Sequence, residues 1–243
     1  MSEKSYTIVT VCTHFPEQNY YCLNEFAKSL RGEPILVLDA AYTNYSGLMS
    51  KPKGLYKAIS ERLIKSHYIL FTDCFDFVFS NSPKDLMNRY FNECGGDITI
   101  SAEKNCFPDN LKKEFDTLPS TTEYKYLNSG MIVGKTDAIF TCLDTMDLTD
   151  ATNDHFDEEK QVQVNPNDQF EWMKVFIKQP VNISLDYEQK LCNTLHGLTL
   201  EDLDFKETRI KNKNTGEYPA SFHANGGAKT SGVLPAILKH LNL

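Results

Sequence analysis

The sequence predicts an α/β fold, a mixed and mostly parallel sheet flanked by helices, on three observations. Short β-branched apolar runs recur along the chain, separated by segments whose apolar residues fall at helical spacing. The run Tyr68-Ile-Leu-Phe is apolar at consecutive positions, the pattern of a strand covered on both faces. This alternation continues well past the midpoint without a repeat or a break in composition, so residues 1–243 read as a single domain.

Taken in order, residues 6–11 and 34–38 read as strands, with residues 17–30 a helix between them because Tyr21, Phe26 and Leu30 recur at helical spacing. Residues 54–65 set Leu55, Ala58, Ile59 and Leu63 on one helical face and lead into the strand at 68–71. Residues 83–91 then read as helix, 97–101 and 126–133 as strands, and 136–146 as helix. Residues 147–167 are acidic, polar and poor in apolar side chains, which marks a surface loop or lid. Beyond them, residues 168–178 form a helix with Trp172 and Phe176 at core spacing, 181–185 and 191–195 are short strands, and 235–241 a terminal helix.

Composition limits what such a fold can do. Hydrophobic residues make up 41% of the 243 positions, with 15 Phe and 12 Tyr, enough for a globular core and too much for a disordered chain. The 25 Lys and Arg are outnumbered by 33 Asp and Glu, a net charge of -8 that disfavours a broadly basic nucleic-acid or membrane-binding face. Seven scattered cysteines with no Cys-x-x-Cys favour neither a disulfide framework nor a zinc site. No signal-peptide pattern and no apolar run of roughly 18 residues is present, so the expectation is a cytoplasmic protein with no membrane partner.

Two segments carry chemistry. Tyr68-Ile-Leu-Phe-Thr-Asp73-Cys-Phe-Asp76 is a buried strand ending in two carboxylates. The carboxyl end of such a strand is where open α/β sheets bind ligands, and two carboxylates there can face one hard divalent cation. The same residues also read as a turn cap and a solvated side chain. In the second segment, Tyr218-Pro-Ala-Ser-Phe-His223-Ala-Asn225-Gly226-Gly227-Ala-Lys229, a neutral imidazole offers a third metal ligand. The glycines admit a phosphate close to the backbone and Lys229 adds a charge for it, which suits a nucleoside diphosphate, although a loop turn with an exposed Lys fits the pattern too. Lys53, within Lys51-Pro-Lys53-Gly54, is a further candidate to line donor phosphates. His14, His67, His155, His196 and His240 have no acidic or Cys neighbours at ligand spacing and read as structural or solvated.

Together these segments resemble the glycosyltransferase domain of the procollagen lysyl hydroxylase and glucosyltransferase (PLOD-type) group, a GT-A, Rossmann-like fold using nucleotide sugars. The resemblance covers almost the whole chain, through Thr-Val-Cys-Thr13, Phe-Thr-Asp73-Cys-Phe-Asp76, Ser101-Ala-Glu103 with Cys106-Phe-Pro108, Leu127-Asn128-Ser129-Gly130, Asn167-Asp168-Gln169, Leu185-Asp186 and His223-Ala-Asn225-Gly226. It implies that Asp73, Asp76 and His223 hold manganese or another divalent cation. It also implies donor contacts from Thr13, Phe75, Asn128, Asn225, Gly226 and Lys229, and places Asp168 at the sugar, as a base, a stabiliser of the oxocarbenium-like state or a hydroxyl acceptor. Asp168 and Lys229 are the catalytic candidates. The family's acidic run is reduced here to Asn165-Pro-Asn-Asp168, and Phe107 stands where Trp is usual, both on the acceptor side.

The expected reaction is transfer of a hexosyl or pentosyl group from a UDP-sugar to a hydroxyl on a macromolecule, a protein side chain or a glycan. The alternatives are a viral enzyme acting on hydroxymethylated bases of DNA in a host cytoplasm, for which Lys104, Lys112 and Lys113 are the nearby basic residues, and a catalytically silent sugar-nucleotide binder. A metal-dependent phosphoesterase is disfavoured because a second metal cluster is missing from the sequence.

Overall fold

A computed structural model describes residues 4–12, 22–43, 47–146, 148, 155–157, 162–164 and 167–243, the backbone alone at 155–157, 162–164, 229 and 230. In chain order the strands are β1 (Tyr6–Cys12), β2 (Ile35–Asp39), β3 (Tyr68–Thr72), β4 (Phe77–Phe79), β5 (Ile98–Glu103), β6 (Tyr126–Lys135) and β7 (His155–Asp157). They continue with β8 (Val162–Val164), β9 (Ile183–Asp186), β10 (Cys192–Thr194), β11 (Leu203–Lys206), β12 (Arg209–Asn212) and β13 (Ser221–His223). The helices are α1 (Leu23–Ser29), α2 (Ala40–Thr43), α3 (Ser50–Ser60), α4 (Pro83–Glu93), α5 (Lys112–Asp116), α6 (Thr136–Asp144), α7 (Asp168–Lys178) and α8 (Val233–Leu241).

Six strands form the main sheet in the order β2-β1-β3-β6-β5-β9. The β1–β2, β1–β3 and β5–β9 pairs are parallel, while β6 runs antiparallel to both β3 and β5, so the sheet is mixed as the sequence predicts. Both faces are covered. From β3, Ile69 and Phe71 enter a core with Leu55 and Ala58 of α3 and Ile139 and Cys142 of α6. Leu70 points the other way, into a core with Phe26 of α1 and Leu86, Met87 and Tyr90 of α4. The two-residue side-chain period of a strand makes that division, and explains why an uninterrupted apolar run is needed.

A second sheet of three strands, β10-β13-β4, stands beside the first. Its strands are three residues long; β10 lies within the strand expected at 191–195, whereas β4 is too short to be read by periodicity. They are held by burial: Phe77 and Phe79 are both fully buried, worth about 2 kcal/mol per side chain relative to exposure. Asp186, at the end of β9, ties the sheets together, its carboxylate accepting the backbone N–H groups of Lys190, Leu191 and Cys192 at 2.8–2.9 Å.

Several expected bounds move. The helix expected at 54–65 is α3, four residues earlier, with Pro52 in its first turn, where a missing N–H costs little. Gly54 lies inside it because a Cβ there would come within 2.8 Å of the Thr43 side chain. Arg62, at φ +59°, turns the chain away, leaving Leu63 50% exposed instead of on a buried face. The helix expected at 17–30 is described from Leu23 to Ser29 only, residues 13–21 lying outside the described residues. Within the expected lid at 147–167, β7 and β8 pair antiparallel, and most of the remaining residues lie outside the described ones. Trp172 is buried in the core as its spacing predicts, and all seven cysteines are free thiols.

Candidate active site

The turn between β3 and β4 crosses from the main sheet to the small one, and it consists of Asp73, Cys74, Phe75 and Asp76. Three main-chain hydrogen bonds fix it: Asp73 N–H donates to the Gly130 carbonyl of β6 at 2.9 Å, Cys22 N–H donates to the Phe75 carbonyl at 2.7 Å, and Ala224 N–H, just past β13, donates to the Asp76 carbonyl at 2.7 Å. Antiparallel pairing sets His223 directly opposite Phe77, the residue after Asp76. The His223 Nε2 atom therefore lies 3.5 Å from an Asp76 carboxylate oxygen and 3.6 Å from one of Asp73. Among the described residues, Asp73, Asp76 and His223 are the one group of three such side chains whose ligand atoms all fall within 4.8 Å of one another.

This group opens into a cleft of about 540 Å3 that Glu103, Phe107, Asp168 and Gln169 also line. Asp168 is the first residue of α7, whose N-cap, Asn167, accepts the N–H groups of Gln169 and Phe170. A carboxylate there faces the positive end of the helix, and Asp168 also accepts the Ser129 hydroxyl at 2.9 Å. Burial raises the Asp168 pKa above the ordinary Asp value, with the Lys51 ammonium acting against that rise. Lys51 bridges the two ends of the cleft, its Nζ 2.7 Å from Asp73 and 3.5 Å from Asp168. Burial would lower the Lys51 pKa, but Asp168 and Asp73 together raise it, so the residue stays charged.

Glu103 closes β5 and is buried, where it accepts three side-chain amides: Asn128 and Gln169 on one oxygen, both at 3.0 Å, and Asn225 on the other at 2.8 Å. Burial raises its pKa, with the Asn128 and Gln169 amides acting in the opposite sense. Gln169 donates as well to the Phe107 carbonyl and accepts the Ser129 N–H at 3.1 Å. Phe107 itself is 64% exposed at the cleft mouth.

The site thus gathers Asp73, Asp76, His223, Asp168, Asn128, Asn225 and Gly226 around one cleft. Phe75 instead packs against the core on the α1 and α4 side of the sheet. Lys53 lies half-buried on α3, and it is Lys51 that reaches the carboxylates: two residues apart on a helix are turned about 200° from each other, so both cannot face the cleft. Thr13 lies outside the described residues; Lys229 falls in the short turn Gly226–Thr230, its side chain outside the description. His196, expected to be structural or solvated, lines the cleft, its Nδ1 accepting the Gly227 N–H at 3.1 Å. Gly226, at φ +54°, would carry a Cβ only 2.3 Å from that nitrogen, so glycine is required there twice over. Lys51, Glu103, Ser129 and Gln169 are the residues that sequence reasoning left in the background.

Three comparisons bear on this geometry. The family model for the PLOD GT domain matches residues 40–233. Procollagen-lysine,2-oxoglutarate 5-dioxygenase of Drosophila melanogaster is 27% identical over 200 residues, covering 75% of this chain and 25% of that protein. Procollagen-lysine,2-oxoglutarate 5-dioxygenase 2 of Mus musculus is 31% identical over 169 residues, covering 66% of this chain and 21% of that one. The chain therefore spans about a quarter or less of the length of these relatives. Among solved structures, mouse xyloside xylosyltransferase 1 shares the fold with a TM-score of 0.53 at 13% identity, over 92% of this chain and 98% of that one.

Proposed function

Because the chain belongs to the PLOD glycosyltransferase domain family and has a GT-A fold, we propose that it is a divalent-cation-dependent enzyme moving a sugar from a UDP-sugar to a hydroxyl on a macromolecule. The observation that carries this reading is the convergence of Asp73, Asp76 and His223, ligand atoms within 4.8 Å, at the end of β3 in a cleft that Asp168 also lines. The donor set, two carboxylates and one imidazole, fits a hard or borderline divalent cation, and Asp73 shares its carboxylate with the Lys51 ammonium 2.7 Å away. Bound there, a cation such as manganese supplies Lewis-acid stabilisation of the departing diphosphate.

In the proposed reaction the bond from the sugar's anomeric carbon to the diphosphate oxygen breaks, a bond to the acceptor oxygen forms, and the acceptor proton is lost. Lys51 acts where negative charge grows on the leaving group, and Lys229, in the Gly226–Thr230 turn, adds its charge there. Asp168, held by Ser129, faces the sugar and the acceptor hydroxyl. For the acceptor we favour a hydroxylated protein side chain or a glycan over DNA, because two of the three nearby lysines, Lys104 and Lys112, already face Glu123 and Asp116 at 2.9 and 2.5 Å, leaving Lys113 for a phosphate backbone. The presence of all three ligands argues against a silent binder. No described helix is long and apolar enough to cross a membrane. Calorimetry tests the core of the reading: UDP should bind at least about 10-fold more tightly with manganese than in chelator, and equal affinities would overturn it.

A further inference from the structure

Resting on the reading of Asp73, Asp76 and His223 as a cation site, we propose that Asn128 is a positioning residue that fixes His223 as its Nδ1–H tautomer, so that the Nε2 lone pair faces the two carboxylates. The assignment follows from groups with only one possible role. The Asn128 side-chain oxygen accepts the main-chain N–H of Gly130 at 3.1 Å, and a peptide N–H can only donate. The other end of the amide donates to the buried Glu103 carboxylate at 3.0 Å. Both contacts hold the amide in one orientation, with its oxygen 3.0 Å from His223 Nδ1. A carbonyl oxygen cannot donate, so Nδ1 must carry the proton; the alternative tautomer would set two lone pairs against each other.

The ring is also fixed in place. A Cβ at Gly130 would lie 2.1 Å from His223 Cε1, so the imidazole occupies the space beside Gly130 of β6 that a side chain there would take. Glu103 anchors the arrangement from behind, its remaining capacity taken by Gln169 and Asn225. Partners that orient a ligating imidazole typically account for about 10- to 100-fold in metal affinity.

Nitrogen-15 NMR of the metal-free chain at alkaline pH, where the ring is neutral, should show the proton on His223 Nδ1; a proton on Nε2 overturns the proposal without any variant being made. Manganese titrations by calorimetry then compare two folded variants. Asn128→Leu, which removes the acceptor, should weaken manganese about 10- to 100-fold and release the tautomer. Asn128→Asp, which keeps an oxygen on Nδ1–H and holds Glu103 through a proton shared between the two carboxyl groups, should retain the tautomer and bind manganese more tightly than Asn128→Leu. Wild-type affinity in Asn128→Leu would overturn the positioning role. Failure of the wild-type chain itself to bind manganese would sink the cation reading instead, while its NMR spectrum still decides whether Asn128 sets the ring.

Discussion

At one end of the cleft, Asp73, Asp76 and His223 sit where the main sheet passes into the small sheet, stitched by main-chain hydrogen bonds and backed by buried amides. At the other, Phe107 stands 64% exposed, and Asp168 follows a segment of the chain that the sequence marks as an acidic surface loop. The contrast separates two tasks. On the proposed reaction, charge on a leaving group is best met by groups that do not move, and strand register holds Asp73, Asp76 and His223 in that way. Selection among acceptors can be left to side chains on the rim, where a substitution disturbs no core.

Removing a cation ligand should break the comparison most severely. Asp76→Ala or His223→Ala should slow transfer by roughly 10³-fold or more while circular dichroism and thermal melting show a retained fold; loss of the fold instead would make the metal end a structural device. A smaller and two-sided effect is expected from Lys51→Met. Without the ammonium 2.7 Å from Asp73, manganese alone should bind more tightly, whereas transfer should slow about 10- to 100-fold because the leaving group loses a fixed charge. Weaker manganese binding in that variant would mean that Lys51 builds the site and does not merely neutralise it. Least of all, Phe107→Ala should raise the acceptor KM several-fold, with UDP and manganese binding unchanged and stability altered by no more than about 0.5 kcal/mol. A matching loss in donor binding would erase the division between the two ends.

The main sheet was legible because its buried strands are runs of apolar residues and its helices show a helical period, as at Tyr68 to Thr72 and α7. In the small sheet only β10, within the strand expected at 191–195, was legible; three residues such as Phe77–Phe79 are too few to display a period, and the pairing of the sheet is a long-range fact. The same limit applies to the site. Asp73 and Asp76 are neighbours in sequence, but their proximity to His223 depends on the β4–β13 register, and family resemblance supplied what spacing could not. Lys51 was passed over for Lys53 because the choice turns on where α3 begins. Glu103 looked like any strand-end carboxylate; only its burial among three amides, one from β6, one from α7 and one past β13, reveals its part.

Gly130 carries a consequence for how this domain can vary over evolution or in the laboratory. A methyl group added there would occupy space held by the His223 ring, with its Cβ 2.1 Å from Cε1. Positions 130 and 223 are therefore one choice made at two places in the chain. A relative bearing a side chain at the first must carry a smaller or differently aimed residue at the second, and so could not place an imidazole beside these two carboxylates in the same way. In a saturation library, position 130 should tolerate glycine alone so long as histidine stays at 223, even though glycine contributes no functional group to the chemistry.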